Sequence, residues 1–235
     1  MKAILLGATG LVGQELLKQA LANPNIVSVI APTRKTLAAH PKLINPIVNF
    51  ERLPSNETWW QADVVLCALG STVKQAGSKA KFFEIDHTYV LSAAAIAKQA
   101  GVSRFIYNSS LGAAADSSNF YLRTKGQIEH DLEVLGFEHL GIVRPSFLYG
   151  EQRPERRFGE EIALHLARLF EALIPVRYRA VSTSKVASAM WQLALTEKPL
   201  ASVEILESDA IYKLVALVQW SYNDAHRPDR QWLEQ

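Results

Sequence analysis

The chain has 235 residues, 49% of them apolar, which suits one large domain with a sizeable core. Its 25 basic and 23 acidic residues leave a formal charge of only +2, so no long-range field selects nucleic acid or an anionic membrane as the main partner. A single cysteine, Cys67, excludes an internal disulfide, and the six histidines fall in no metal-ligand spacing, so no metal site is expected.

The first predicted element is a strand over 3–6 that runs into Gly7, Gly10 and Gly13 and then into a helix over 11–22. Glycine allows positive φ and lets a phosphate approach bare main chain. The helix turns its N-terminal amides and dipole toward a pyrophosphate. The residues expected at this turn are Gly7, Thr9, Gly10, Leu11, Val12 and Gly13. Their spacing is G-x-x-G-x-x-G instead of the familiar G-x-G-x-x-G. A glycine-rich turn that binds nothing is the plain alternative, and the setting between buried strand and helix argues against it.

A second strand over 27–31 leads to Thr33, Arg34 and Lys35. NAD-selective folds usually place an acid here for the ribose 2′-hydroxyl. This chain has two cations instead, and the planar guanidinium of Arg34 suits a 2′-phosphate, so NADP is expected, with NADPH favoured over NADH. The competing reading is a solvated basic loop.

Further strands are expected over 47–49, 64–68, 104–108 and 139–143, with helices over 84–100 and 119–135. The strands are continuous apolar runs, as a parallel sheet covered on both faces requires, with Cys67 as a buried strand thiol. This predicts an α/β, Rossmann-like doubly wound core over residues 1–150. After Gly150 come a basic loop over 153–157, a helix over 159–173, a short strand near 178–181, a helix over 184–195, a strand over 203–206 and a helix over 209–219. They read as a small C-terminal substrate lobe, 151–219, packed on the core and followed by a polar tail over 220–235. The apolar residues Phe158, Ile162, Leu166 and Phe170 either shape a pocket or simply pack that lobe, and the basic loop either meets an anionic substrate or is solvated. Trp59, Trp60 and Trp191 read as packing residues.

Tyr121 and Lys125 form a Y-x-x-x-K on a predicted helix, one turn apart on one face. A nearby ammonium favours a phenolate, which makes a tyrosine useful as an acid or base near neutral pH. Ser109 and Ser110 end the strand over 104–108, where an α/β sheet presents its ligand crevice. Ser110 is the preferred holder of a substrate oxygen; both serines capping a turn is the alternative.

Together, the glycine turn, Asp86 to Val90, Ser109-Ser110, Ser117 to Tyr121, Lys125-Gly126 and Val143 to Phe147 closely resemble the short-chain dehydrogenase/reductases over about residues 2–215. The resemblance is to the atypical, Tat-interacting tumour-suppressor-like NAD(P)-binding subgroup. It implies that Ser110, Tyr121 and Lys125 are catalytic, and that Asp86 stands where the superfamily usually has an Asn in its proton relay. It also implies that Lys125 bonds the nicotinamide ribose, that Pro145, Ser146 and Phe147 flank the nicotinamide, and that Ala68, Leu69 and Gly70 lie along the phosphate and ribose.

The expected function is therefore an NADP-dependent oxidoreductase acting on a small carbonyl or alcohol substrate, with a non-catalytic NADP(H)-binding regulator or redox sensor as the rival. A homo-oligomer is left open. With the first strand expected near residue 2 and no apolar run of about 18 residues, a soluble cytoplasmic protein is expected.

Overall fold

A computed structural model describes residues 1–149 and 175–225, with side chains described as far as residue 216. The strands are β1 (Lys2–Leu6), β2 (Ser28–Ile30), β3 (Leu43–Ile44), β4 (Val64–Cys67), β5 (Arg104–Asn108), β6 (His139–Arg144), β7 (Leu148–Tyr149), β8 (Val181–Ser182) and β9 (Val203–Glu207). Seven of them form one parallel sheet in the order β3-β2-β1-β4-β5-β6-β9, and β7 pairs with β8 apart from it. The helices are α1 (Leu11–Ala22), α2 (Val73–Ala76), α3 (Lys79–Phe83), α4 (Tyr89–Gln99), α5 (Phe120–Val134), α6 (Thr183–Leu195) and α7 (Ser208–Ala225). This is the doubly wound α/β core that the sequence predicts.

The continuous apolar strands follow from burial on both faces. In β1, Ala3 and Leu5 face one core cluster while Ile4 and Leu6 face the other; in β4, Val64 and Leu66 alternate in the same way with Val65 and Cys67. Leu16 and Ala20 of α1 share the first cluster with Met190 and Trp191 of α6. Val90 and Ala94 of α4 share the second with Ile128 and Leu132 of α5. Each fully buried aliphatic side chain contributes about 1.5–3 kcal/mol. Cys67 is fully buried, and that burial pushes its thiol up to about 12, so it is a structural thiol.

Three elements depart from expectation. The strand expected over 47–49 is a single bridge between Thr33 and Ile47, and the true edge strand is β3. Pro46 has no N–H to donate, so the ladder is interrupted there and resumes only as that bridge. The helix expected over 84–100 is two pieces, a π turn over Glu84–Thr88 and α4, and α3 precedes them without a break. The segment expected as a strand near 178–181 begins as a 3₁₀ turn, Val176–Tyr178, before β8.

Part of the predicted lobe belongs to the core. β9 pairs with β6 from Leu140↔Val203 to Arg144↔Glu207, so it is the seventh strand of the main sheet. α6 lies on α1, where Trp191 Nε1 donates to Leu16 O at 3.1 Å and Gln19 Nε2 donates to Ser184 O at 3.1 Å. The basic loop over 153–157, the helix expected over 159–173 and residues Phe158, Ile162, Leu166 and Phe170 lie outside the described residues. α7 extends to Ala225, into the stretch expected to be tail; residues 226–235 also lie outside the described residues.

Candidate active site

At the carboxyl end of β1, Gly7 takes φ +84°, and a Cβ there would stand 2.6 Å from the Ala68 carbonyl carbon. A Cβ on Gly13 would stand 1.9 Å from Gly7 O, so α1 is pressed directly on the turn. Gly10 differs, because a Cβ there would meet nothing nearer than Gly7 O at 3.4 Å. Gly10 is the N-cap of α1, with no side-chain cap and no acid in the first turn. By contrast, Asn119 Oδ1 caps α5 through the amides of Tyr121 and Leu122 at 2.9 and 3.2 Å. The α1 terminus is left with the open amides and positive dipole end that an anion needs.

This turn opens on a cavity of about 340 Å³ lined by Gly7, Thr9, Gly10, Arg34, Ala68, Leu69 and Gly70. Seven of the expected cofactor residues are thus brought together from β1, β2 and β4. Pro32, Thr33, Phe50, Ser71, Gln75, Ile85 and Tyr89 line it too, and the sequence reading missed them. Phe50 and Tyr89 stack 6.4 Å apart, from a short 3₁₀ turn and from α4, a pairing that no local pattern announces. Leu11 lies at the helix start, 37% exposed, Val12 is in the core and Gly13 is packed under the turn, so none of the three lines the cavity. Lys35 is exposed beyond its rim.

Gly70 joins the cavity to a buried ionic group, since a Cβ on it would lie 3.0 Å from Asp86 Oδ1 and 3.5 Å from Lys125 Nζ. Asp86 and Lys125 are 0% and 4% exposed and pair at 2.9 Å. Lys125 Nζ also donates to Tyr107 Oη at 3.0 Å, and Asp86 Oδ2 accepts from the Ser71 amide at 2.7 Å. Asp86 sits on the π turn, a feature often found where a helix must aim a side chain. Burial raises the Asp86 pKa above its ordinary value, against the lowering pull of Lys125 and the Ser71 amide. Burial works to lower that of Lys125, but Tyr107, Asp86 and Tyr121 together hold it well above the usual lysine value. Burial likewise raises Tyr107, so at neutral pH the Lys125 ammonium faces a neutral phenol. Tyr107 was not foreseen; the period-two alternation of β5, which sets Phe105 and Tyr107 on one face, was the available signal.

Tyr121 is half-buried in the first turn of α5, one turn from Lys125, with its ring 5.5 Å from that of Phe82. Ser110 is half-buried just beyond β5, and its carbonyl accepts from Ala113 N at 3.1 Å. Its neighbour Ser109 is buried with an unpartnered hydroxyl. Pro145, Ser146 and Phe147 do not line the cavity. Pro145 O accepts from Leu111 N at 2.8 Å, Ser146 Oγ donates to Arg179 O, and Phe147 is 81% exposed. No cluster of His, Cys, Asp or Glu suited to a metal occurs among the described residues.

An uncapped glycine turn, opening on a cavity at the carboxyl ends of a doubly wound parallel sheet, defines a dinucleotide-binding Rossmann protein. The chain belongs to the NAD(P)H-binding family, whose model matches residues 7–197, and is an atypical short-chain dehydrogenase/reductase. It is similar to Protein HTATIP2 of Rattus norvegicus, at 35% identity over 218 residues, covering 89% of this chain and 87% of that one. It is also similar to the Candida albicans protein named "Protein FMP52, mitochondrial", at 36% identity over 173 residues, covering 69% of this chain and 74% of that one. Among solved structures, UDP-glucuronic acid 4-epimerase from Bacillus cereus, in complex with UDP-glucuronic acid and NAD, shares the fold with TM-score 0.67 at 16% identity, over 88% of this chain and 77% of that one. The cytoplasmic expectation is overturned by the relatives' names, since FMP52 proteins of several fungi are named as mitochondrial. No helix among the described residues is long and apolar enough to cross a membrane.

Proposed function

We propose that this protein is an NADP-dependent oxidoreductase acting on a small carbonyl or alcohol compound. One observation carries the reading: Lys125 is buried one helical turn from Tyr121, with its Nζ beside Gly70, which lines the glycine-turn cavity. Gly7, Gly10 and the first amides of α1 would hold the pyrophosphate, and Arg34 at the rim would take the 2′-phosphate. When bound, the nicotinamide supplies or accepts the hydride. Tyr121 gives the substrate oxygen its proton or removes it, and Ser110 holds that oxygen in place. Lys125, one helical turn from Tyr121, bonds the ribose, while Asp86 orients Lys125.

The rival reading, an NADP(H)-binding regulator without turnover, draws support from Lys125 itself, whose ammonium is already engaged by Asp86 and Tyr107. The test is a carbonyl and alcohol screen followed by nicotinamide absorbance, repeated with Tyr121→Phe. Turnover should fall by roughly 10²–10⁴ in that variant while NADPH affinity holds. Full activity in Tyr121→Phe would sink the mechanism, and NADPH binding without turnover of any compound would favour the regulator.

A further inference from the structure

The segment after β2 carries Arg34 to the cavity rim, yet among the described residues no backbone-to-backbone hydrogen bond outside the regular elements involves residues 34–37. One side chain shapes this turn instead. Asn45 Nδ2 donates to Ala31 O at 2.6 Å and to Thr33 Oγ1 at 2.7 Å, and Asn45 Oδ1 accepts from Leu37 N at 2.8 Å. Thr33 Oγ1 in turn donates to Lys35 O at 2.6 Å. Thr33 is 4% exposed and fixed by ladder bonds, its amide to Pro46 O at 3.0 Å and its carbonyl from Val48 N at 2.9 Å. Residues 34–36 therefore span between a rigid Thr33 and a Leu37 whose amide is held by the same asparagine. Two donors and an acceptor are needed at position 45, and a carboxylate has no donor to offer.

We propose that Asn45, which does not line the cavity, is the positioning residue for cofactor selectivity. It holds the Arg34-Lys35 turn in the shape that presents the Arg34 guanidinium to a 2′-phosphate. The proposal rests on the NADP reading above. A turn released from Asn45 would still carry Arg34, but in binding geometry for only a fraction of the time, and apparent affinity falls by that fraction. NADH has no 2′-phosphate, so its affinity does not depend on the turn.

The experiment is titration of the full chain with NADPH and with NADH by calorimetry, in the parent, Arg34→Ala, Asn45→Ala and Thr33→Val. The parent should prefer NADPH and Arg34→Ala should lose the preference. Asn45→Ala should weaken NADPH about tenfold with NADH within about twofold, the scale of one or two net hydrogen bonds. Thr33→Val, which keeps the side-chain shape and removes the hydroxyl, should shift the ratio the same way by less. An unchanged ratio in Asn45→Ala, or equal weakening of both cofactors, overturns the role of Asn45 while leaving the NADP reading intact. Equal affinities in the parent overturn both. Should Asn45→Ala not fold, Thr33→Val decides, and an unchanged ratio there defeats the proposal.

Discussion

Lys125 Nζ and Tyr107 Oη lie 3.0 Å apart inside the protein, joining helix α5 to strand β5 where no solvent reaches. With Asp86 on the other side of the ammonium, the lysine is a structural tie as well as a candidate site residue. Its replacement must therefore be read in stability before it is read in activity.

Lys125→Met should cost about 3–5 kcal/mol, because Asp86 is left as an unpaired buried charge. Adding Asp86→Asn should recover a good part of that loss, since the uncompensated carboxylate goes with it. Urea unfolding of the two single variants and the double variant checks this. Strictly additive losses would mean that the pair is not coupled.

Asp86 also sets a pH signature. Its folded pKa lies above its ordinary value of 3.8, chiefly through burial, so between the two values the folded protein binds more protons than the unfolded chain. Its stabilising contribution is complete below pH 3.8 and is lost as pH rises through the raised folded value. Asp86→Asn has no such proton to lose. Whatever the offset from the broken pair, Tm of the variant minus Tm of the parent should climb as pH is raised from about 3.8 toward neutrality. A flat difference in thermal scans would show that burial does not raise this carboxyl.

The glycine turn separates a packing role from a binding role. Gly13→Ala places a methyl 1.9 Å from Gly7 O and should destabilise the fold by about 3 kcal/mol or more. Gly10→Val sets its Cβ in ordinary contact, 3.4 Å from Gly7 O, should cost about 1 kcal/mol as a poor N-cap, and should abolish NADPH binding. Unfolding curves and calorimetry report the two effects separately. Undiminished NADPH affinity in a folded Gly10→Val protein would remove the pyrophosphate from this turn.

What the sequence makes legible is what local chemistry repeats. β1, β4, β5 and β6 are readable because burial on both faces writes continuous apolar runs, and α5 begins within one residue of expectation because Asn119 caps it. β3 is two residues long and ends before Pro46, too short for any period to register. The π turn under Asp86 has no sequence signature, so the aim of that carboxylate was invisible. Tyr107 meets Lys125, 18 residues on, and Asn45 meets Ala31, Thr33 and Leu37 only through tertiary packing. β9 follows an irregular stretch, and nothing local distinguishes a strand that joins a distant sheet from one that starts a lobe.

The bond from the Trp191 indole to Leu16 O closes a separation of 175 residues. A ribosome delivers α1 well before α6, so in the interval the side of Leu16 and Ala20 that meets α6 faces water. The nucleotide cradle then rests on a helix with nothing behind it. Contacts this distant in sequence slow folding, and bare apolar faces attract chaperones or neighbouring chains in the interval. A polypeptide stopped before α6 would carry every glycine of the turn and still lack the backing that holds the turn in shape.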